Sequence, residues 1–269
     1  MLHGQPTWSY LFRHTIPPLV EAGYRCIAFD YPGFGRSDKP ADDAWYSYER
    51  HVDATSSLIE ELDLRGVTMV LHDWGGPIGL RIATGPLASR VSRFVVMDTI
   101  NLVGQNLGEA WQWFHDLAAT REDFPAGRLV RMGCRKRHPR ELAAAYEAPF
   151  PDATYKAGVR AFPRLIPLSP DTATAAAGRE IAAALRRDSR RALPMWAEFD
   201  AMFPREQFAD DLCAQFAAAD DLVVVGGAGH FMFEDEGEQV GRIIAAWLDR
   251  ERERADTQAD EYVLGDQWW

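Results

Sequence analysis

"VLHDWGGPIG", residues 70–79, decides how the rest of the chain is to be read. Val67 to Leu71 is a short apolar run of the kind that forms a buried strand. It stops at His72-Asp73-Trp74-Gly75-Gly76, and a helical pattern takes over from about Pro77. Proline is tolerated in a first helical turn because its missing N–H has no partner there. Gly75 and Gly76 permit a tight turn and close backbone approach. Asp73 therefore stands at the tip of a strand–turn–helix, lifted clear of the sheet, beside a helix N-terminus that favours its ionised form. Capping the helix is one use for such a carboxylate. A chemical role needs partners elsewhere in the chain.

Working outward, Tyr24 to Phe29 (YRCIAF), Arg93 to Met97 (RFVVM), Ala192 to Trp196 and Asp221 to Val225 (DLVVV) read as further strands. Between them lie helical patterns. Over residues 45–64 an apolar face is formed by Tyr48, Val52, Thr55, Ile59 and Leu62. Over 229–250 one is formed by Val240, Ile243, Ile244, Trp247 and Leu248. Continuous apolar strands alternating with amphipathic helices predict an α/β fold, a mostly parallel sheet with helices on both faces. The alternation stops between about residues 99 and 190, where any visible periodicity is helical. The expected organisation is a core from 1–98 and 191–250, with a helical cap from 99–190 over the carboxyl ends of the strands, where open α/β sheets bind ligands. Residues 251–269 are highly charged and end in Trp268 and Trp269, and are expected to form a loose tail. GFGRS, residues 33–37, lacks both G-x-G-x-x-G and a Lys-Ser/Thr pair and reads as a tight turn, not a phosphate loop.

Composition narrows the function. The 269 residues are 47% hydrophobic and 26% charged, which suits an ordinary globular domain with a sizeable core. A net charge of -11 argues against a nucleic-acid partner. Cys26, Cys134 and Cys213 are far apart, odd in number and without zinc spacing, so neutral thiols in a reducing compartment are expected. No run of eighteen apolar residues and no secretory leader pattern is visible, so no membrane contact is expected and the cytoplasm is the default location.

Three further segments supply partners for Asp73. His230 lies in GGAGHFMF, directly after the last strand, and Asp200 lies in WAEFDAMFP, after the strand at 192–196. Nucleophile, acid, histidine is the chain order of α/β-hydrolase triads, with each member following a strand. Asp98, in VVMDTIN, follows the strand at 93–97 and is the alternative acid. Asp200 fits the chain order better. His3-Gly4-Gln5-Pro6 is the fourth piece. In such folds a backbone N–H near this motif and the N–H of the residue after the nucleophile bind a developing oxyanion, here Gln5 and Trp74.

The sequence resembles the haloalkane dehalogenases of the α/β-hydrolase superfamily over most of residues 2–250. The resemblance is carried by LHGQPTWSYLFR (2–13), FDYPGFGRSDKP (29–40), HDWGG (72–76), APFPDATYKAGVRAFPRLIP (148–167) and GAGHFMFEDEGEQV (227–240). It implies an α/β-hydrolase fold and hydrolysis of a haloalkane to alcohol and halide with no metal or organic cofactor. Asp73 would attack the sp³ carbon in line and give an alkyl-aspartate ester. His230, oriented by Asp200, would activate the water that cleaves it. Trp74 would hydrogen-bond the leaving halide, since an indole N–H donates without competing as a base. A second tryptophan from the cap plays the same part in the family; Trp111 in GEAWQWFHDL fits best, with Trp113 the alternative. Gln5, where relatives carry Asn or Glu, would assist halide or water binding. The implied partners are a small halogenated alkane, water and the halide product, and a monomer is expected.

Other readings compete. An epoxide hydrolase shares the aspartate and histidine but protonates its substrate with cap tyrosines, for which Tyr146 and Tyr155 are available. The family also carries strands ahead of its HG motif, whereas here the motif begins at residue 3. This leads to the expectation that the start is misassigned, or that the sequence is a fragment of a longer working protein. A truncated, inactive α/β-hydrolase-like protein is the remaining alternative.

Overall fold

A computed structural model describes the backbone of residues 1–265 and the side chains of residues 1–257. Two helices, α1 (Ile16–Glu21) and α2 (Tyr48–Glu61), precede the first strand, β1 (Val67–His72). Helix α3 (Gly75–Ala83) leads to β2 (Val91–Met97). Then come α4 (Gly108–Thr120), α5 (Ala126–Gly133), α6 (Arg140–Glu147), α7 (Ala157–Ala161) and α8 (Ala173–Leu185), all before β3 (Ala192–Ala197). Helix α9 (Arg205–Cys213) connects β3 to β4 (Val223–Val225), and α10 (Met232–Gly265) follows, with a non-helical break at Glu236. The sheet is parallel throughout, and its spatial order β1-β2-β3-β4 is also its chain order.

That order explains the layering. Right-handed crossovers that always step the same way place their helices on the same face. Side chains along each strand alternate between faces. Met69, Leu71, Phe94, Val96 and Trp196 join one core with Ile78 of α3, Ile181 of α8 and Leu212 of α9. Val70, Val95, Met97, Leu193 and Met195 point the other way, onto Leu19 of α1 and Val240, Ile244 and Trp247 of α10. All four strands also end on the same side. The turns after β1, β2, β3 and β4 therefore converge, and residues 73, 98, 198–203 and 226–231 gather at one edge.

Two local expectations need correction. Tyr24 to Phe29 has no regular secondary structure and is not a strand of the sheet. A groove of about 520 Å³ separates it from the free edge of β1. Met1 and Leu2 bridge the groove: the Met1 amine donates to the Ile27 carbonyl (2.7 Å), the Leu2 N–H donates to the Val70 carbonyl (2.8 Å), and the His72 N–H donates to the Leu2 carbonyl (3.2 Å). Without a neighbour at ladder distance the segment cannot pair. The charged run after Arg250, expected to be loose, instead continues α10 to Gly265. Its i,i+3 pairs, Arg252–Asp249 and Arg254–Glu251, are of the kind that supports a helix. Trp268 and Trp269 lie outside the described residues. None of the described helices is long and apolar enough to cross a membrane.

The aromatic packing beneath the site holds neutral histidines. His3 is fully buried; its Nδ1 lies 2.9 Å from the Gly4 carbonyl, and its Nε2 accepts the Tyr31 N–H at 3.2 Å. Only the neutral ring, protonated at Nδ1, satisfies both. His51 is buried against Phe162, Tyr31 and Tyr46, with no partner for either nitrogen among the described residues. Burial pushes the pKa of His3 down to about 4 and that of His51 down to about 3. In the unfolded chain these rings take up protons near pH 6.5. Their contribution to stability is therefore full above that value and is lost as pH falls from about 6.5 toward the folded values. Chemical denaturation from pH 7.5 to 4.5 will show stability falling with acidity, and falling less steeply in His51→Phe. An equally steep fall in that variant would show that His51 contributes nothing to it.

Candidate active site

Asp73 is the first residue after β1 and adopts φ +49°, a left-handed conformation unusual for a residue with a side chain. Its backbone is pinned from the β2 turn: the Asp73 N–H donates to the Asp98 carbonyl (3.3 Å), and Thr99 Oγ1 donates to the Asp73 carbonyl (2.5 Å). The carboxylate is pinned from the other side. Its Oδ1 accepts the Gln5 N–H at 2.7 Å, and the Trp74 N–H also supports the ionised form. Gly4 makes this possible, since a Cβ there would overlap the Asp73 side chain. A Cβ on Gly76 would likewise strike Thr99, so α3 can begin directly behind the nucleophile-like turn only with glycine there. Burial raises the Asp73 pKa, and the nearby His230 and the two N–H donors oppose the rise.

His230 arrives on the turn between β4 and α10. Its Nδ1 is 2.8 Å from Asp200 Oδ2, and its Nε2 is 3.8 Å from Asp73 Oδ2. The second distance is too long for a hydrogen bond and suits an intervening water. Asp200 is itself fixed: its Oδ1 accepts the N–H groups of Met202 (2.7 Å) and Phe203 (3.0 Å). Since a carboxylate faces Nδ1, that nitrogen carries the proton and Nε2 is the free base. Burial alone would lower the His230 pKa. The facing Asp200 charge and hydrogen bond, with a contribution from Asp73, outweigh it, so the net shift is upward.

Asp98 takes no part in this contact. It is fully buried, its Oδ1 accepts the Ala197 N–H (2.9 Å), and its Oδ2 has no partner among the described residues. Burial, reinforced by the neighbouring Asp200 charge, pushes its pKa well above the carboxylate range. Of the two candidate acids, only Asp200 meets His230.

These groups open into one cavity of about 410 Å³, walled by Trp74 and Phe203 on one side and Trp111, Phe114 and Leu129 of the inserted helices on the other. The indole N–H groups of Trp74 and Trp111 have no acceptor among the described residues, although both side chains are buried. Trp113 also borders the cavity but is 52% exposed, at its rim. Gln5 reaches the wall, but its side-chain amide donates to the Val159 carbonyl of α7. Tyr146 is turned away, its hydroxyl on Glu234, and neither it nor Tyr155 lines the cavity. Sequence reasoning missed Thr99 and His72. The His72 Nε2 lies 2.8 Å from the His230 carbonyl and ties the β1 end to the histidine loop. Its place in HDWGG was the available signal; Thr99 had none. Histidine NMR will place the His230 titration above the ordinary 6.5, and Asp200→Asn will move it down. An unmoved His230 titration in that variant would contradict the electrostatic account.

Comparison with known proteins bears on the fold and the family. The family model of the alpha/beta hydrolase fold matches residues 1–237. A haloalkane dehalogenase of Mycobacterium marinum is 40% identical over 248 residues, covering 92% of this chain and 83% of the relative. A cis-3-alkyl-4-alkyloxetan-2-one decarboxylase of Xanthomonas campestris is 32% identical, covering 93% and 87%. Among solved structures, the tetrameric haloalkane dehalogenase DpaA of Paraglaciecola agarilytica superposes with a TM-score of 0.82 at 34% identity, covering 89% of this chain and 80% of that one. With an aspartate in the left-handed turn after β1, a histidine–aspartate pair facing it and relatives of this identity and coverage, the chain belongs to the haloalkane dehalogenase family of α/β hydrolases.

Proposed function

We propose that the protein hydrolyses haloalkanes through a covalent ester on Asp73. The observation that carries this reading is the asymmetry of the carboxylate: Oδ1 is held by the Gln5 N–H, while Oδ2 faces the cavity and His230. Oδ2 attacks the carbon bearing the halogen, the carbon–halogen bond breaks, and halide leaves with the electron pair. The Trp74 and Trp111 N–H groups stabilise the charge that develops on it. Water then adds to the ester carbonyl while His230 Nε2 takes its proton, and Asp200 stabilises the imidazolium formed. The Gln5 and Trp74 backbone N–H groups hold the oxyanion on Oδ1. The tetrahedral intermediate collapses as a proton passes to the departing alkyl oxygen, releasing the alcohol and restoring the carboxylate, and His230 returns to its neutral form by giving a proton to solvent. The helices between β2 and β3 serve as a cap over the site, and Gln5, with one side-chain N–H spent on Val159, plays at most a supporting part toward halide.

The apolar wall suits an alkyl chain, and the cavity lacks the tyrosine hydroxyls that an epoxide would need from Tyr146 or Tyr155. The Xanthomonas relative shares the fold under a name for different chemistry, so a cis-3,4-dialkyl oxetan-2-one and styrene oxide belong in the test as controls. We extend the proposal to a monomer in the cytoplasm; the Paraglaciecola relative is tetrameric, which makes size-exclusion chromatography the check on assembly.

Wild-type protein will release halide from 1-bromobutane or 1,2-dibromoethane, and Asp73→Asn will release none above background. His230→Ala will release about one halide per protein and then stop, gaining the mass of the alkyl group. No mass gain in His230→Ala, with an active wild type, would remove the ester from the mechanism. Diol from styrene oxide without any halide release would move the activity to epoxides. Because neutral His230 is required, turnover will fall as pH drops through its raised titration point. Trp111→Phe will lower turnover by about tenfold or more, by analogy with the loss of an oxyanion-hole donor, and by more than Trp113→Phe.

A further inference from the structure

Asp235 lies in the first turn of α10, five residues beyond His230, with its side chain fully buried. Its Oδ2 accepts the N–H of Gly229 (2.9 Å) and of Arg135 (2.7 Å). Its Oδ1 accepts the N–H of Lys136 (2.9 Å) and contacts His138 Nε2 (2.9 Å). One carboxylate thus takes four hydrogen bonds, the full capacity of the group. One of them comes from the residue preceding His230. The other three come from residues 135–138, the connection between α5 and α6. Lys136 adds a bond from its Nζ to the Asp235 carbonyl (2.7 Å) and an ion pair with Glu236 (2.6 Å).

The backbones beneath this carboxylate are in direct contact. A Cβ on Gly229 would lie 2.5 Å from the Gly133 carbonyl oxygen, and one on Gly133 would lie 2.6 Å from the Phe231 ring. The same connection reaches the loop of the triad acid. The Arg135 guanidinium lies over the Phe199 ring at 4.5 Å, and Phe199 immediately precedes Asp200. Cys134, His138 and Asp235 also sit close enough to suggest a metal site. Both Asp235 oxygens are already occupied by N–H donors, which a cation would have to displace, so the cluster is better explained as a clamp.

We propose that Asp235 is a positioning residue for the hydrolytic half of the reaction. It fixes the loop carrying His230 against the α5–α6 connection and so sets the orientation of the base. The proposal rests on the reading of His230 as the base. Alkylation depends on Asp73, Trp74 and Trp111, which sit on the β1–α3 turn and on α4, and Asp235 bonds to none of them. Loss of the clamp therefore acts on the second step and spares the first.

The test is rapid-mixing halide release with 1-bromobutane on wild type, Asp235→Asn and Asp235→Ala. The expected result is an initial halide burst with wild-type rate, followed by a steady state slower by roughly ten- to a hundred-fold, the scale of a misplaced catalytic group. Intact mass will show the alkylated form accumulating. Burst and steady state falling together, or neither changing, would overturn the proposal. Asp235→Asn keeps the shape of the side chain and serves where Asp235→Ala does not fold. If the wild type releases no halide, the reading of the site fails by itself. Histidine NMR then still tests the clamp: Asp235→Asn will move the His230 ring signals and leave those of His51 in place. His230 signals unchanged in a folded variant would overturn it.

Discussion

A carboxylate buried beside a histidine, with one oxygen bonded and the other bare, is the constraint on which the rest of the structure depends. Burial opposes its charge, as the upward shift of the Asp73 pKa records. Full hydrogen bonding would relieve that cost but would also quench the carboxylate as the nucleophile proposed for it. The fold meets both demands by bonding only one side. The Gln5 N–H binds Oδ1, the Trp74 N–H also favours the ionised form, and the β2 turn holds the strained backbone through Asp98 and Thr99. Sheet order follows from the same need. Parallel strands in consecutive order bring the turns carrying Asp73, Asp200 and His230 to one edge, even though five helices intervene between β2 and β3.

Three carboxylates and a histidine share that edge, and their environments separate their roles. Asp200 receives two backbone N–H bonds on one oxygen and His230 on the other, so it is suited to hold charge. Asp98 has a single N–H and deep burial, which favour its neutral form and keep a second full negative charge away from Asp200. His230 is pulled upward by the charges it faces despite its burial. Helices between β2 and β3 wall the cavity opposite Trp74, and on the proposed mechanism the indole N–H groups of Trp74 and Trp111 serve there as donors to halide. Low dielectric strengthens those donors toward a developing anion.

Much of this was legible because it depends on local pattern and chain order. β1, β2 and β3 were continuous apolar runs, and the residues just beyond β1, β3 and β4 were the polar groups that chemistry needs. What depends on long-range contact was not legible. YRCIAF has strand composition, yet pairing requires a neighbour that composition cannot reveal. The run after Arg250 looked too charged to order, yet its charges alternate in sign at helical spacing. Thr99 and Asp235 act through bonds to distant backbone, and neither carries a motif. Chain order favours Asp200 over Asp98, but the 2.8 Å contact between its loop and that of His230, thirty residues apart, is not visible in the sequence.

The most direct test of the central claim is a single turnover of 1-bromobutane by excess protein in oxygen-18 water. Attack by Asp73 predicts that the first alcohol carries ordinary oxygen, taken from the carboxylate, and that one oxygen-18 appears in the peptide containing Asp73. Alcohol labelled with oxygen-18, with Asp73 unlabelled, would mean that water attacks the substrate directly and that the ester account is wrong.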